Sequence, residues 1–210
     1  MSLRVLLADD HAVMRDGLQA LLQAAGAEVV AAVANGRDAV RRALELRPDV
    51  LVLDIAMPEL NGIEALRLVR AKWPEARVVV LSMHADAEHV YRALDAGAAG
   101  YILKESAGPE VVAAVRAVHV GKRYLSPAIA PLADRARPRA GPSPLESLST
   151  RERQVLQLVV EGRSSAEIAQ RVHLSPKTVE TYRSRLMKKL GVGDTPALVK
   201  FAVQHGITSL

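Results

Sequence analysis

Over the first 125 residues, short apolar runs alternate with longer stretches in which apolar positions recur every three or four residues. The runs predict strands at Arg4–Ala8, Val29–Val33, Val50–Leu53, Val78–Leu81 and Gly100–Leu103. The intervening periodic stretches predict helices at His11–Ala25, Gly36–Leu46, Gly62–Lys72, Ala87–Ala96 and Pro109–Val120. The middle runs, VLVL and VVVL, do not alternate with polar residues, as expected of strands covered on both faces. Five strand–helix units in succession predict an α/β doubly wound parallel sheet, with right-handed crossovers and strand order 2-1-3-4-5. That order places the topological switch point between the first and third strands.

The pattern changes after residue 125. Prolines at 127, 131, 138, 142 and 144 interrupt the stretch 126–145, which reads as a semi-extended linker with at most one helical turn near Ile129. Residues 146–210 then read as an all-α, four-helix domain. Ser149 with Glu152, and Ser164 with Glu167, have the spacing of capping boxes. Ser175 before Pro176 starts a helix expected to run to Leu190, with Leu174 and Val179 stapled across its cap and Gly191 as its left-handed stop. Thr195 and Pro196 start the last helix. The expected organisation is therefore 1–125, a linker 126–145, and 146–210.

Several of the apolar runs end in chemistry. Asp9 and Asp10 follow the first, Asp54 the third, Ser82 the fourth and Lys104 the fifth. In a parallel sheet all these positions lie along the carboxyl edge. Singly, each reads as a cap or a surface side chain; together they form a site for a divalent cation and a phosphoryl group. Clustered carboxylates need either raised pKa values or a cation. An all-oxygen donor set suits Mg2+, with Asp9, Asp10, Asp54 and the carbonyl of Ala56 as ligands.

Composition narrows the classes. Aromatics are 3% of residues, so the core must be aliphatic, and with no cysteine there is no disulfide or thiolate chemistry. No apolar run approaches the ~20 residues of a membrane span, and no signal peptide is recognisable at the start. The expectation is a cytoplasmic protein without a membrane partner. The net charge of +5 lies in the last third and the linker: residues 1–125 carry 15 Lys and Arg against 16 Asp and Glu, and residues 146–210 carry 10 against 6. A basic small domain suggests a polyanionic partner.

The segments LADDHAVMRDGLQALL, DIAMPELNGIEAL and LSMHADAEHVYRALDAGAAGYILKESA resemble the receiver domain of bacterial response regulators, over residues 3–125. The resemblance implies a flavodoxin-like fold. It makes Asp54 the phosphoacceptor from a histidine kinase, with Mg2+ and Lys104 stabilising the transferring oxygens. Ser82 becomes the switch hydroxyl, and Tyr101 the switch aromatic that turns from outward to inward as Ser82 moves. Residues two beyond Asp54 and Ser82, here Ala56 and His84, can position hydrolytic water in receivers. The methyl group of Ala56 predicts slow loss of the phosphoryl group, with His84 setting the remaining rate.

The stretches LSTRERQVLQLVVEG and SAEIAQRVHLSPKTVETYRSRLMKKLGV resemble the LuxR-type helix-turn-helix module. A receiver followed by this module is the arrangement of NarL/FixJ-type regulators. On the helix from Pro176, Val179, Tyr182, Leu186 and Leu190 share one face, and Lys177, Glu180, Thr181, Ser184 and Lys188 lie opposite. This predicts base contacts from Glu180, Thr181 and Ser184, and phosphate contacts from Lys177, Arg183, Arg185, Lys188 and Lys189. Glu180 could instead pair with a neighbouring cation. Ser165 and Ala166 stand where related modules often carry Asn and Lys. In the last helix Leu198 and Phe201 are expected inward, leaving Val199 and Val203 either for a twin module in a homodimer or for packing within the domain. The expected function is a phosphorylation-controlled, DNA-binding transcriptional regulator that is not an enzyme. The alternatives are a Mg2+-dependent phosphohydrolase with an aspartyl nucleophile, or a regulator that keeps the fold without phosphorylation.

Overall fold

The computed structural model describes residues 2–135, 144–145, 147–205 and 207–208. The chain divides into two compact units, Met1–Arg137 and Pro138–Leu210.

In the first unit, strands β1 (Arg4–Ala8), β2 (Glu28–Val33), β3 (Val50–Asp54), β4 (Val78–Ser82), β5 (Gly100–Leu103) and β6 (Tyr124–Leu125) form one parallel sheet in the order 2-1-3-4-5-6. Between them run α1 (Ala12–Ala24), α2 (Gly36–Leu46), α3 (Gly62–Lys72), α4 (Ala87–Asp95) and α5 (Ala107–His119). Alternate strand residues supply the two sides of the core. Leu6, Leu51, Leu53 and Val80 pack with α2, α3 and α4, through residues such as Ala39, Leu66 and Val90. Val5, Val52, Val79 and Leu81 pack with α1 and α5, through Leu18, Leu22, Val111 and Val115. Two-sided burial is why β3 and β4 read as unbroken Val/Leu runs.

Register carries the chemistry to one edge. Ala8 lies opposite Leu53, so Asp9 and Asp54 leave the sheet side by side. Asp54 lies opposite Leu81, and Ser82 opposite Leu103, next to Lys104.

The start of α3 presses on this edge. Gly62 N–H donates to the Ile55 carbonyl at 2.8 Å, and a Cβ on Gly62 would stand 2.0 Å from the Asp54 carbonyl oxygen. Gly62→Ala should therefore lower stability by about 1–3 kcal/mol, the usual range for overpacking. A lower urea midpoint at unchanged slope is the expected reading.

Two expectations are corrected. The sheet has a sixth strand, because Tyr124 and Leu125 pair with Gly100 and Tyr101. The expected linker begins too early: Ser126 is buried, its hydroxyl donating to Glu110 Oε2 at 2.6 Å and accepting Leu103 N–H at 3.2 Å. A short helix α6 (Ala130–Arg135) follows, with Ile129 fully buried in the core on the α4 side. Pro131 sits in its first turn, where a missing N–H costs no helical bond. Residues 136–143, the rest of that segment's proline-rich centre, lie outside the described residues.

The described part of the second unit contains α7 (Thr150–Val160), α8 (Ser165–Val172), α9 (Pro176–Leu190) and α10 (Thr195–Gln204). Both capping boxes form, at Ser149 with Glu152 and at Ser164 with Glu167. Ser175 caps α9, and Gly191 ends it at φ 68°. Val155, Leu156, Ile168, Val179, Leu186 and Leu198 are central to the core. On α10 Leu198 and Ala202 are buried, while Phe201, Val199 and Val203 are half-buried.

Candidate functional site

At the carboxyl edge of the first unit, Asp9, Asp10, His11 and Asp54 each offer a ligand atom within 4.8 Å of the others. Lys104, 6% exposed, is drawn into this group. Its Nζ stands 2.6 Å from Asp54 Oδ2 and 3.0 Å from Asp9 Oδ2. Burial pushes the Asp54 carboxyl up to about 7, against the pull of Lys104 and with a further push from Asp9. Against its own burial, the Lys104 ammonium is held above its ordinary value by Asp54 and then Asp9. Ala56 N–H donates to the other Asp54 oxygen at 3.2 Å.

Asp9 Oδ2 and Asp10 Oδ1 are buried, with only ionic contacts to the Lys104 ammonium at 3.0 Å and the His11 ring at 2.9 Å. Buried carboxylate oxygens so placed, in a cluster that one ammonium only partly neutralises, fit a hard divalent cation such as Mg2+. His11 belongs to the cluster and was not foreseen: its Nδ1 is 2.9 Å from Asp10 Oδ1 and 3.4 Å from Lys104 Nζ. Its position directly after two aspartates was the available signal.

Ser82 is 1% exposed and its oxygen accepts His84 N–H at 2.9 Å. Tyr101 is not outward. Its ring is fully buried and its hydroxyl donates to the His84 carbonyl at 2.8 Å. The inward position buries a large ring and still satisfies the phenol, whose pKa burial raises. The loop between β4 and α4 thus links Ser82 to Tyr101 through the two backbone groups of His84. The His84 ring itself stacks on His89.

On α9 the expected inward face is confirmed for Val179 and Leu186, which are buried. Lys177, Thr181, Ser184, Arg185 and Lys188 are exposed. Three other residues are engaged within the unit. Glu180 Oε1 accepts from Ser165 Oγ, and Arg183 donates to the same hydroxyl at 3.2 Å. Glu180 therefore pairs with its neighbours, and Ser165 is the junction between α8 and α9 that sequence reading missed. Lys189 does not project freely: its Nζ donates to Glu152 Oε2 at 2.7 Å and to the Ser147 carbonyl at 3.1 Å. The cause is Glu152, whose carboxylate is 4% exposed and, despite burial, is held below its ordinary range by Lys189 and Ser149.

No helix among the described residues is long and apolar enough to cross a membrane. Residues 5–116 match the family described as the response regulator receiver domain, and residues 146–202 match the bacterial regulatory proteins of the luxR family. The chain is 40% identical over 208 residues to the transcriptional regulatory protein MctR of Rhizobium johnstonii, covering 99% of this chain and 96% of that one. A solved structure of RcsB from Salmonella enterica serovar Typhimurium, bound to a promoter in the presence of the phosphomimetic BeF3-, is 25% identical with a TM-score of 0.65, covering 97% of this chain and all of that one. A structure of two RcsB dimers bound to two parallel DNAs is 26% identical with a TM-score of 0.60, covering 98% and 99%. With its acidic carboxyl edge in the first unit and its capped helical module in the second, the chain belongs to the response regulators of the NarL/FixJ type, phosphorylation-controlled transcriptional regulators that join a receiver domain to a luxR-family DNA-binding domain.

Proposed function

We propose that Asp54 accepts a phosphoryl group from a phosphohistidine of a sensor kinase, and that this controls binding of the second unit to double-stranded DNA. The observation that carries the reading is Lys104, a buried ammonium set between Asp54 and Asp9. An Asp54 oxygen attacks phosphorus as the bond to the histidine nitrogen breaks, giving an aspartyl phosphate. Lys104 then meets the phosphoryl oxygens in place of the carboxylate, and the Ser82 hydroxyl donates to one of them once it releases His84 N–H. Asp9, Asp10, Asp54 and the Ala56 carbonyl are the groups that would hold Mg2+, which when bound supplies charge neutralisation for the transferring oxygens. The test is incubation with acetyl phosphate: uptake of one phosphoryl group, dependent on Mg2+ and read by intact mass, is expected. Repeated turnover of phosphate esters would instead favour the phosphohydrolase alternative.

In the second unit, α9 enters the major groove. Thr181 and Ser184 face base edges, and Lys177, Arg185 and Lys188 face phosphates. Glu180 and Arg183, held at Ser165, set the angle between α8 and α9, and Arg183 keeps further donors for a phosphate. Lys189 secures α9 to the start of α7. RcsB forms dimers on DNA, and a homodimer of this chain on paired half-sites fits the half-buried Val199 and Val203. Lys188→Ala should weaken binding to all DNA sequences alike and reduce the slope of log affinity against log salt by about one unit. Fluorescence anisotropy on specific and random duplexes over a salt series reads both quantities.

A further inference from the structure

The loop between β4 and α4 gathers a second set of ligating side chains, outside the acidic pocket. His84, Asp86 and His89 each offer a nitrogen or carboxylate oxygen within 4.8 Å of the others. Asp86 caps α4, its Oδ1 accepting the N–H groups of Glu88 and His89 at 3.1 Å. Its Oδ2 is left to face His89 Nδ1 at 2.7 Å. The His84 ring lies over the His89 ring with centroids 4.1 Å apart and planes 9° apart. His89 is 3% exposed, and its Nε2 is buried without a hydrogen-bond partner. A cap alone explains Asp86, but it does not explain the second imidazole stacked on His89.

We propose that His84, Asp86 and His89 form a binding site for a divalent transition ion of the zinc class, separate from the Mg2+ pocket. Two imidazole nitrogens and one carboxylate oxygen, with water completing the shell, are a donor set that favours Zn2+, Co2+ or Ni2+ over Mg2+. Asp86 and His89 are already positioned by the first turn of α4. The ion enters between Oδ2 and Nδ1, and the His89 proton moves to Nε2. Parallel rings have parallel lone pairs, so the half-buried His84 ring must turn about its side-chain bonds to complete the site. That movement acts on the backbone that joins Ser82 to Tyr101. An ion bound here fixes His84 and so holds the tyrosine inward, a consequence that rests on the switch assignment, whereas binding itself does not.

Titration of tag-free, full-length protein with Co2+, in saturating Mg2+ so that the acidic pocket is blocked, tests the site. Wild type and Asp54→Asn should each take one equivalent, with the visible bands of a low-symmetry, nitrogen-ligated ion. His84→Ala should lose affinity by more than about 100-fold, beyond the range typical of lost outer-shell partners. Asp86→Asn, which keeps the helix cap, should lose affinity in the same way, so that misfolding of one variant leaves the other to decide. The site is overturned if wild type gives no such bands, if Asp54→Asn removes them, or if both loop variants titrate like wild type.

Discussion

Asp54→Asn folds like the wild type and takes up no phosphoryl group. Asparagine matches aspartate in shape, and Asp54 is 1% exposed between β1 and β4, so the substitution leaves the packing intact. The amide has no oxygen basic enough to attack phosphorus. The Lys104 ammonium keeps Asp9 as a partner at 3.0 Å, so no buried cation is stranded. Because burial already pushes the Asp54 carboxyl up to about 7, a neutral side chain there costs the fold little. Acetyl phosphate with Mg2+ should give one phosphoryl adduct on wild type, labile to hydroxylamine as acyl phosphates are, and an adduct at background in the variant. Mg2+ affinity should also fall, since one of three carboxylates is gone, and treatment with the donor should leave DNA affinity unchanged. An equally hydroxylamine-labile adduct on the variant would move the acceptor to another carboxylate.

Much of this site can be read from strand ends. Val50–Asp54 and Val78–Ser82 are apolar until their last residue, and parallel pairing in register converts that into proximity without knowledge of any side-chain contact. Helix starts were legible for a local reason, since a capping box is satisfied by residues three apart. What stayed hidden depends on partners remote in sequence. Lys189 meets Glu152 from 37 residues away, and Glu180 meets Ser165 from 15. On a helical wheel both residues look like solvated groups, because the wheel contains no neighbouring helix. Tyr101 could be placed on its strand but not given a rotamer, which the His84 carbonyl decides. The sixth strand has two residues, too few for a period, and the prolines beyond it held the reading to a single helical turn near Ile129, where a longer helix, Ala130–Arg135, follows the buried Ile129. Local pattern thus located the acidic edge and the face of α9, and tertiary pairing decided which of the charges on α9 remain free.

Lys104→Met should be the most damaging single change to the receiver in the absence of metal. The methionine fills much of the lysine's volume but leaves Asp9, fully buried, and Asp54 facing each other without a cation. Breaking a buried ion pair by removing one partner costs about 3–5 kcal/mol, most of it the desolvation of the charge left behind. Proton linkage gives this loss a pH dependence. A carboxyl whose folded pKa lies above its unfolded value binds more protons when folded, so its contribution weakens as pH rises from the unfolded pKa through the folded one. For Asp54 that window runs from about 4 to about 7 in wild type, and loss of the lowering influence of Lys104 extends it upward. In EDTA the variant should therefore unfold at a much lower urea concentration than wild type at pH 8, with a smaller gap at pH 5, where a proton replaces the ammonium. Mg2+ at pH 8 should recover part of the loss, because a divalent ion neutralises the same carboxylates. Phosphoryl uptake should stay low even then, since the cation that meets the phosphoryl oxygens is absent. An unfolding midpoint in EDTA that matches wild type at both pH values would mean that the Lys104 ammonium does not hold these carboxylates together, and would remove the basis for its role in phosphoryl transfer.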